Sequence, residues 1–467
     1  MHNLRTEIIP SRQIFVKNKE GNGLNLNAIC LFAATGFFLE KDTYFKNLEV
    51  LQPATDYSLD ENDFIVDSKE YWKWNYYPRD ISLKQAAEEF AHLFEKLTDK
   101  NLKGKKVILP LSGGLDSRTQ AAAVNNISDV KCYSYRFEDS FDETKYGKEI
   151  CRVKGLNFSE YIIPKGYLWN VIDRLSEINK CYADFTHPRQ MAVAEKIKEL
   201  GNIFYLGHWG DVLFDDMGVK PDLSNDEQVE ILFKKIVKRS GTELAETLWK
   251  DWGLNGNFRI YFKQRISELL GRIKIDDVNS RIRAFKSMYW APRWTSSNME
   301  IFSRLHQVYL PYYDEEMCRF ICTIPEKHLS GRQIQIEYIK MRNPGLAEIP
   351  WQTYDPLNLY NYKSYENKIR LPYRAIKKIK RIFRENISGN KLTTRNWEIQ
   401  FKGEENEKHL KKYLFENNSL NSLISKKITG EFYKKFREED DVYYSHSVSM
   451  LLTLSLFTKK YLKAGDV

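Results

Sequence analysis

A six-residue loop, Ser-Gly-Gly-Leu-Asp-Ser at positions 112–117, constrains the fold of this chain more than any other stretch. It follows an apolar run at residues 107–111 and precedes a helix-compatible stretch at residues 118–124. This order predicts a buried strand, a glycine turn and the N-terminus of a helix. Backbone N–H groups and the positive end of a helix dipole meet at such a turn, which favours the binding of a phosphate chain.

Individual residues of the loop support that chemistry. Gly113 and Gly114 carry no Cβ and let the backbone approach an anion closely. Ser112 and Ser117 add hydroxyl donors, and Asp116 offers a hard oxygen ligand for Mg²⁺ beside the phosphates. No G-x-x-x-x-G-K-[ST] sequence occurs, so the loop is not a Walker A motif. It resembles instead the SGGxDS loop of the PP-loop ATP pyrophosphatases, which cleave ATP between the α- and β-phosphates and transfer AMP to an acceptor.

The pattern around the loop predicts the fold class. Helical patterns near residues 143–154, 167–179 and 188–200 alternate with apolar strands near residues 105–111, 130–136, 159–163 and 203–206. Such alternation predicts an α/β fold with a parallel, doubly wound sheet, in which ligands lie beyond the carboxyl ends of the strands. Residues 1–23 show no clear period, and short segments at residues 43–45, 48–51, 56–59 and 64–66 indicate antiparallel hairpins.

Helix boundaries are also predicted. A short helix from Leu26 is ended by Gly36, and Ser82 and Gln85 predict a capping box at the start of another helix. From about residue 224 the pattern is mostly helical.

A second acidic residue follows another predicted strand. Asp211 comes shortly after the strand near residues 203–206, so we expect it to face the same crevice as Asp116. Two carboxylates around a triphosphate suit Mg²⁺, which takes few protein oxygens together with phosphate oxygens. The alternative for Asp211 alone is a helix N-cap; its pairing with the loop favours the metal role.

Taken in order, these motifs resemble the asparagine synthetase family over most of the chain. Residues 112–117 match the family's SGGLDS unchanged, and residues 206–214 resemble its S-G-x-G-x-D-E-x-F motif. Weaker likenesses lie at residues 139–146, at 310–314 (the family's R-x-P-F-L-D) and at 347–351. The resemblance implies a PP-loop (adenine nucleotide alpha hydrolase-like) ligase that uses ATP and Mg²⁺. A substrate carboxylate attacks the α-phosphorus, pyrophosphate leaves, and ammonia or an amine attacks the acyl-adenylate.

The resemblance also implies which residues contact ATP, with asparagine formation as the family default. Asp116 and Asp211 remain the expected metal ligands. The residues expected to contact ATP are Leu111, Ser112, Gly113, Gly114, Leu115, Asp116, Ser117, Tyr135, Leu206 and Gly207.

Several positions depart from the family pattern. His208 stands where asparagine synthetases usually have Glu and β-lactam-forming relatives have Tyr, Val212 replaces the motif's Glu, and Asp215 and Asp216 replace glycines. These changes indicate a tailored carboxylate substrate, such as a sugar acid or a peptide. His208 is interpreted either as a general base for the incoming nitrogen or as a residue that hydrogen-bonds a neighbouring loop. Lys363 is the nearest lysine downstream of the segment where the family carries its catalytic lysine, and it is the second catalytic candidate.

Three units are expected along the chain: a β-rich domain at residues 1–80, the synthetase domain at 81–385 and a helical C-terminal extension at 386–467. Residues 25–80 resemble only the second half of the family's N-terminal-nucleophile glutaminase domain. Members with glutaminase activity carry Cys directly after the initiator Met, whereas this chain begins Met1-His2-Asn3. We therefore expect a truncated remnant without glutamine hydrolysis. The nitrogen then comes from free ammonia, from a partner protein or from an amine.

Composition indicates the compartment of the protein and the kinds of partner that it contacts. The chain has 467 residues, 42% hydrophobic and 29% charged, with no run of about 18 apolar residues that could span a bilayer. Six cysteines without a C-x-x-C pair indicate a reduced, cytoplasmic protein. Basic residues cluster between positions 363 and 391 within a net charge of +9. We interpret this cluster as a solvated helix face, with a nucleic-acid patch or an acidic membrane surface as alternatives.

Two rival functions stay open. Another PP-loop activity, tRNA modification, would use the basic cluster, but the segments at residues 206–214 and 310–314 favour the synthetase branch. The second rival is a catalytically degenerate relative that binds a nucleotide or a partner. The unchanged loop and Asp211 argue against it, whereas His208 and the distant Lys363 argue for it.

Overall fold

The structure is a computed structural model that describes residues 1–138, 140, 142–366 and 400–463. Most of the basic cluster and the domain boundary expected at residues 385–386 lie outside the described residues. The same holds for Asp139 and Phe141 in the segment at residues 139–146.

Strands occur in the first two thirds of the chain. They are β1 (His2–Arg5), β2 (Phe15–Lys17), β3 (Leu48–Val50), β4 (Thr55–Leu59), β5 (Ile65–Glu70), β6 (Val107–Pro110), β7 (Val130–Phe137), β8 (Asn157–Ile163), β9 (Ile203–Tyr205) and β10 (Gln307–Tyr309).

Helices fill most of the remaining described residues. The first group is α1 (Leu26–Thr35), α2 (Leu83–Leu102), α3 (Leu115–Ala123), α4 (Thr144–Lys154), α5 (Tyr167–Ile178), α6 (Ala194–Lys198), α7 (Gly210–Leu213), α8 (Asn225–Ile236), α9 (Gly241–Asp251), α10 (Phe258–Gly271) and α11 (Val278–Phe285). A π-helical segment (Lys286–Thr295) leads into α12 (Ser296–Ser303), α13 (Glu315–Ile321), α14 (Glu326–Leu329), α15 (Gln333–Arg342) and α16 (Pro344–Glu348). The C-terminal helices are α17 (Glu404–Phe415), α18 (Asn418–Asn421), α19 (Lys426–Glu438) and α20 (Asp441–Lys460).

The sheet that positions the site is parallel, as the sequence predicts. Within the described part of the chain its five strands run in the order β10-β9-β6-β7-β8, and every neighbouring pair is parallel. From β6 the chain first adds β7 and β8 on one side and then β9 and β10 on the other. The strand order therefore reverses between β6 and β9, and the loops that leave these two strands flank a crevice.

The edge strand β10 was not predicted from the sequence. Its three residues contain one strong apolar side chain, Val308, and among the described strands it pairs only with β9. Tyr309, which stands where the family motif has Arg, ends this strand, and its ring stacks on Tyr205 of β9 at 5.8 Å. So short a strand shows no hydrophobic period and depends on its neighbour for stability.

The N-terminal region is antiparallel, as predicted, but its strands differ in detail. β1, β4 and β5 form an antiparallel sheet, and β2 pairs with β3. β1 and β2 lie in a stretch that the sequence left without a period. The strand expected at residues 43–45 is wrong, since only Phe45 forms an isolated bridge, to Leu24.

The N-terminal and C-terminal regions share one hydrophobic core. Tyr44 stacks on Phe457 of α20 with ring centroids 3.6 Å apart, and its hydroxyl donates to the Cys181 carbonyl at 2.6 Å. Two helix boundaries that the sequence predicts are observed. Ser82 and Gln85 form the expected capping box of α2, and Gly36 ends α1 at a φ of 81°. The three-domain division stays a prediction.

Candidate active site

The loop at residues 112–117 joins β6 to α3 as predicted, and its two serines hold the turn closed. Ser117 Oγ accepts a hydrogen bond from the Ser112 N–H at 3.1 Å, and Ser112 Oγ accepts one from the Gly114 N–H at 3.3 Å. Gly114 is the N-cap residue of α3 and has no side-chain cap. The N-terminal N–H groups of α3 are thus left to a ligand, while the serine hydroxyls fix the loop shape.

The two glycines of the loop serve different purposes. A Cβ on Gly114 would lie 3.3 Å from Ser112 Oγ, a tight contact, with no other atom within 4 Å, and Gly114 lines the cleft. A Cβ on Gly113 would lie 2.5 Å from the Gln352 Cβ and 2.7 Å from the Tyr146 ring. Gly113 is therefore required for packing beneath the loop rather than for the approach of an anion, and it does not line the cleft.

Glycines also bring the loops after β6 and β9 into contact. A Cβ on Gly207 would lie 2.6 Å from Gln120 Oε1, and one on Gly210 would lie 2.1 Å from Asp116 Oδ1. Asp116 and Asp211 each stand in the first turn of a short helix, α3 and α7. The structure therefore places the two predicted metal ligands on facing loops.

Asp116 is the centre of a charged network. Its Oδ1 accepts hydrogen bonds from the Arg332 guanidinium and from Gln335 Nε2, the latter at 3.1 Å. Gln335 also donates to Tyr312 Oη at 2.8 Å. Burial raises the pKa of Asp116, Arg332 opposes this shift, and repulsion from Asp211 adds to it. A cation close to both carboxylates would relieve that repulsion.

Arg332 reaches Asp116 from an unusual backbone turn. Gly331 and Arg332 have φ values of 67° and 62°, a conformation that costs energy for a residue other than glycine. The turn is held by the two acidic departures from the family motif. Asp215 Oδ1 accepts from the Gly331 N–H at 2.8 Å, and Asp216 accepts from the Ser330 hydroxyl.

A buried arginine secures the floor of the loop. Arg118, fully buried in α3, donates to the carbonyls of Ile349 and Pro350 at 2.8 Å and to that of Leu346 at 3.3 Å. The Gln352 N–H in turn donates to the Gly113 carbonyl at 3.2 Å. The segment at residues 347–351 therefore supports the loop through Arg118.

The cleft above these loops has a volume of about 730 Å³, enough for a nucleotide and a second substrate. Its lining includes nearly all the predicted site residues: Leu111, Ser112, Gly114, Leu115, Asp116, Ser117, Tyr135, Leu206, Gly207, His208 and Asp211. Lys363 is not among the lining residues; it is exposed, and its Nζ lies 3.4 Å from Gln333 Oε1.

Sequence reasoning missed the cations of the cleft. Lys286, on the π-helical segment, lines the cleft with its Nζ 5.7 Å from the Trp209 ring centroid and 5.2 Å from that of Trp290. Burial lowers its pKa to about 8, although Asp211 opposes the shift. Within the described residues Lys286 forms no ion pair. Arg332 is the other cation, and no local motif marks either residue.

His208 lines the cleft together with Lys286, Trp290 and Trp294 of the π-helical segment. Burial lowers the pKa of His208 to about 4 despite the nearby Asp211, so the imidazole is neutral at pH 7. Its Nδ1 is buried and has no hydrogen-bond partner among the described residues. The loop hydrogen bond considered from the sequence is therefore not made by this nitrogen.

The residues present fit a magnesium ion. The described residues hold no group of three His, Cys, Asp or Glu side chains that could bind a metal on their own. Mg²⁺ bound with a nucleotide needs only one or two carboxylates, because phosphate oxygens and waters complete its shell. Asp116 and Asp211 supply that donor set.

The sequence pattern of the asparagine synthase family matches residues 89–330, just over half of the chain, including the 112–117 loop, Asp211 and Lys286. The chain belongs to the asparagine synthase family. No curated protein sequence gives a match. Among solved structures, NMN synthetase from Francisella tularensis is 15% identical with a TM-score of 0.22; the match covers 29% of this chain and 58% of that one. No helix of the described residues is long and apolar enough to cross a membrane.

Proposed function

We propose that this asparagine synthase family member is an ATP-dependent, amide-forming ligase that releases AMP and pyrophosphate. The observation that carries the proposal is the contact between the 112–117 loop, which contains Asp116, and the loop that leads to Asp211, at the point where the strand order reverses. A free helix N-terminus and two carboxylates in one cleft are suited to a magnesium nucleotide.

In the proposal ATP lies against Leu111, Tyr135, Leu206 and Gly207, with its phosphates at the N-terminus of α3. Asp116 and Asp211 would hold Mg²⁺, which when bound neutralises charge on the phosphate oxygens. The substrate carboxylate attacks the α-phosphorus, so a C–O–P bond forms and the bond to pyrophosphate breaks. Amide formation then breaks the acyl C–O bond to AMP as the nitrogen forms the C–N bond and loses a proton.

The proposal assigns the positive charge of the site to Lys286 and Arg332 rather than to Lys363. Both line the cleft, whereas Lys363 is exposed outside it. Cations fixed near the phosphates stabilise the charge that develops as pyrophosphate leaves. Arg332 would exchange its contact with Asp116 for phosphate oxygens when the metal binds.

His208 is proposed to contact the incoming nitrogen. A neutral imidazole with an unpartnered Nδ1 can accept an N–H hydrogen bond or a proton. Because its pKa is about 4, it is a weaker base than an unperturbed histidine. Its main contribution is then to orient the nucleophile.

The substrates follow from the same site. The carboxylate is a small molecule, a sugar acid or a peptide, and the nitrogen comes from ammonia, an amine or a partner protein.

All six cysteines are buried, and burial raises the pKa of Cys322 to about 11, so no thiol is presented for glutamine hydrolysis. Buried, unpaired cysteines are in keeping with a cytoplasmic location.

One observation favours a second candidate, a nucleotide- or partner-binding relative without activity. The Arg332 guanidinium already pairs with Asp116, where an active site would need a metal ligand. If that ion pair is permanent, nucleotide can bind without reacting.

Magnesium-dependent exchange of labelled pyrophosphate into ATP, scanned over a panel of carboxylic acids, separates the two. A ligase shows exchange that depends on one class of acid. Nucleotide binding measured by calorimetry without exchange for any acid supports the inactive relative.

A further inference from the structure

Beyond His208 the cleft continues into a smaller pocket of about 140 Å³, which we call the annex. Trp294 and His208 line both spaces, so the annex opens from the reaction site. Ile301 and Phe302 of α12 and Pro188 form an apolar wall. Ammonia, about the size of a water molecule at roughly 30 Å³, would leave most of such a pocket empty.

Three residues that line the annex, His208, Thr295 and Asn298, carry a buried polar atom without a hydrogen-bond partner among the described residues, and those of His208 and Asn298 can accept from a ligand. Asn298 Nδ2 donates to the Trp294 carbonyl at 2.8 Å, which fixes the orientation of the amide. Asn298 Oδ1 is then an acceptor without a partner in the described parts of the chain, as is His208 Nδ1. An unpaired buried polar atom is destabilising, so a ligand with N–H groups would complete the pocket.

The reaction requires the neutral form of that ligand. Arg189 lines the annex and Lys286 lines the adjoining cleft, while the carboxylate close to His208 is that of Asp211. The two cations disfavour a protonated ammonium group within their reach, and the carboxylate opposes this effect. Only the neutral amine has the lone pair that attacks an acyl group.

We propose that the annex binds the nitrogen substrate, and that this substrate is an organic primary amine rather than ammonia. Its apolar or aromatic body lies between Trp294, Ile301 and Phe302, and its N–H groups donate to Asn298 Oδ1 and His208 Nδ1. A carboxylate in this place would bring its oxygens against the Asn298 oxygen. The inference rests on the proposed function, since it names one substrate of that reaction.

Binding to the full chain tests the inference by calorimetry at pH 8. The probes are 3-methylbutylamine, methylamine, which has similar basicity, and 4-methylpentanoate, an acid of similar shape. We expect 3-methylbutylamine to bind roughly tenfold or more tightly than methylamine, from the apolar area that it buries. Equal affinities for the two amines, or tighter binding of the acid, would overturn the inference.

Variants locate the binding site. Asn298→Leu should weaken 3-methylbutylamine binding by about fivefold or more, because it removes the acceptor. Asn225→Leu replaces an exposed helical asparagine that does not line the annex, and it should leave the binding unchanged. Ile301→Phe fills the annex and should weaken binding further; if this variant does not fold, Asn298→Leu alone decides. Unchanged binding in Asn298→Leu contradicts the inference.

Pyrophosphate exchange by the same wild-type preparation separates this inference from the proposed function. Exchange with some acid, together with equal binding of the two amines, overturns the annex inference and leaves the ligase proposal standing. Preferential binding of 3-methylbutylamine without exchange for any acid overturns the ligase proposal and, with it, the role of the amine as a substrate.

Discussion

The substitution Gly210→Ala tests whether the two loops must touch for the site to work. An alanine Cβ at this position would lie 2.1 Å from Asp116 Oδ1 and 2.8 Å from the Tyr312 ring, well inside the 3.0 Å that Cβ contacts keep. Asp116 would have to retreat by about 1 Å, and a displacement of that size at a reacting centre can cost about 10²-fold in rate. Overpacking should also lower the free energy of unfolding by about 1–3 kcal/mol.

The assay is the rate of pyrophosphate exchange, with urea unfolding measured on the same preparation. Gly430→Ala in α19 is the matched control, because its Cβ would meet nothing within 4 Å. It should keep full exchange and gain about 0.5–1 kcal/mol in unfolding free energy. If Gly210→Ala retains the wild-type rate, the contact between the loops does not position Asp116, and the reasoning fails.

Further predictions concern the buried Arg118 beneath the loop, the proposed metal ligand Asp211, the role of His208 in amide formation and the charge of Lys286. Arg118→Met leaves buried carbonyls unpaired and should lower the free energy of unfolding by roughly 3–5 kcal/mol in a urea titration, whereas exposed Arg174→Met should change it little. Asp211→Asn should slow pyrophosphate exchange about a hundredfold without loss of folded structure by circular dichroism; a wild-type rate would place the metal elsewhere. His208→Ala should spare exchange but slow amide formation by about tenfold or more, and equal loss in both assays would mean that it shapes the nucleotide pocket. The Lys286 pKa lies near 8, below the ordinary value, so its positive charge is lost as pH rises through 8. Exchange should therefore fall above pH 8 in the wild type but not in Lys286→Arg, and identical pH profiles would exclude Lys286.

The local parts of the site were predictable because their signals are contiguous. The 112–117 loop needs only a strand, two glycines and a helix start, and Asp211 follows its own strand. Both lie where parallel strands end, so sequence order alone places them together. The capping box of Ser82 was predictable for the same reason.

The remaining parts depend on contacts between distant segments. Arg332 pairs with Asp116 across 216 positions, from a turn that Asp215 and Asp216 hold. Lys286 enters the cleft from a π-helical segment that has no sequence signature of its own. Position 113 needs a glycine because a Cβ there would collide with Gln352, and this contact is likewise visible only in three dimensions.

The central claim is that this cleft cleaves ATP between its α- and β-phosphates, and phosphorus NMR of the reaction products tests it most directly. With Mg²⁺ and the acid that gives the strongest pyrophosphate exchange, the wild-type chain should convert ATP to AMP and pyrophosphate. Asp116→Asn should produce neither at a comparable rate. ADP and inorganic phosphate as products, or AMP formed equally well by Asp116→Asn, would contradict the account.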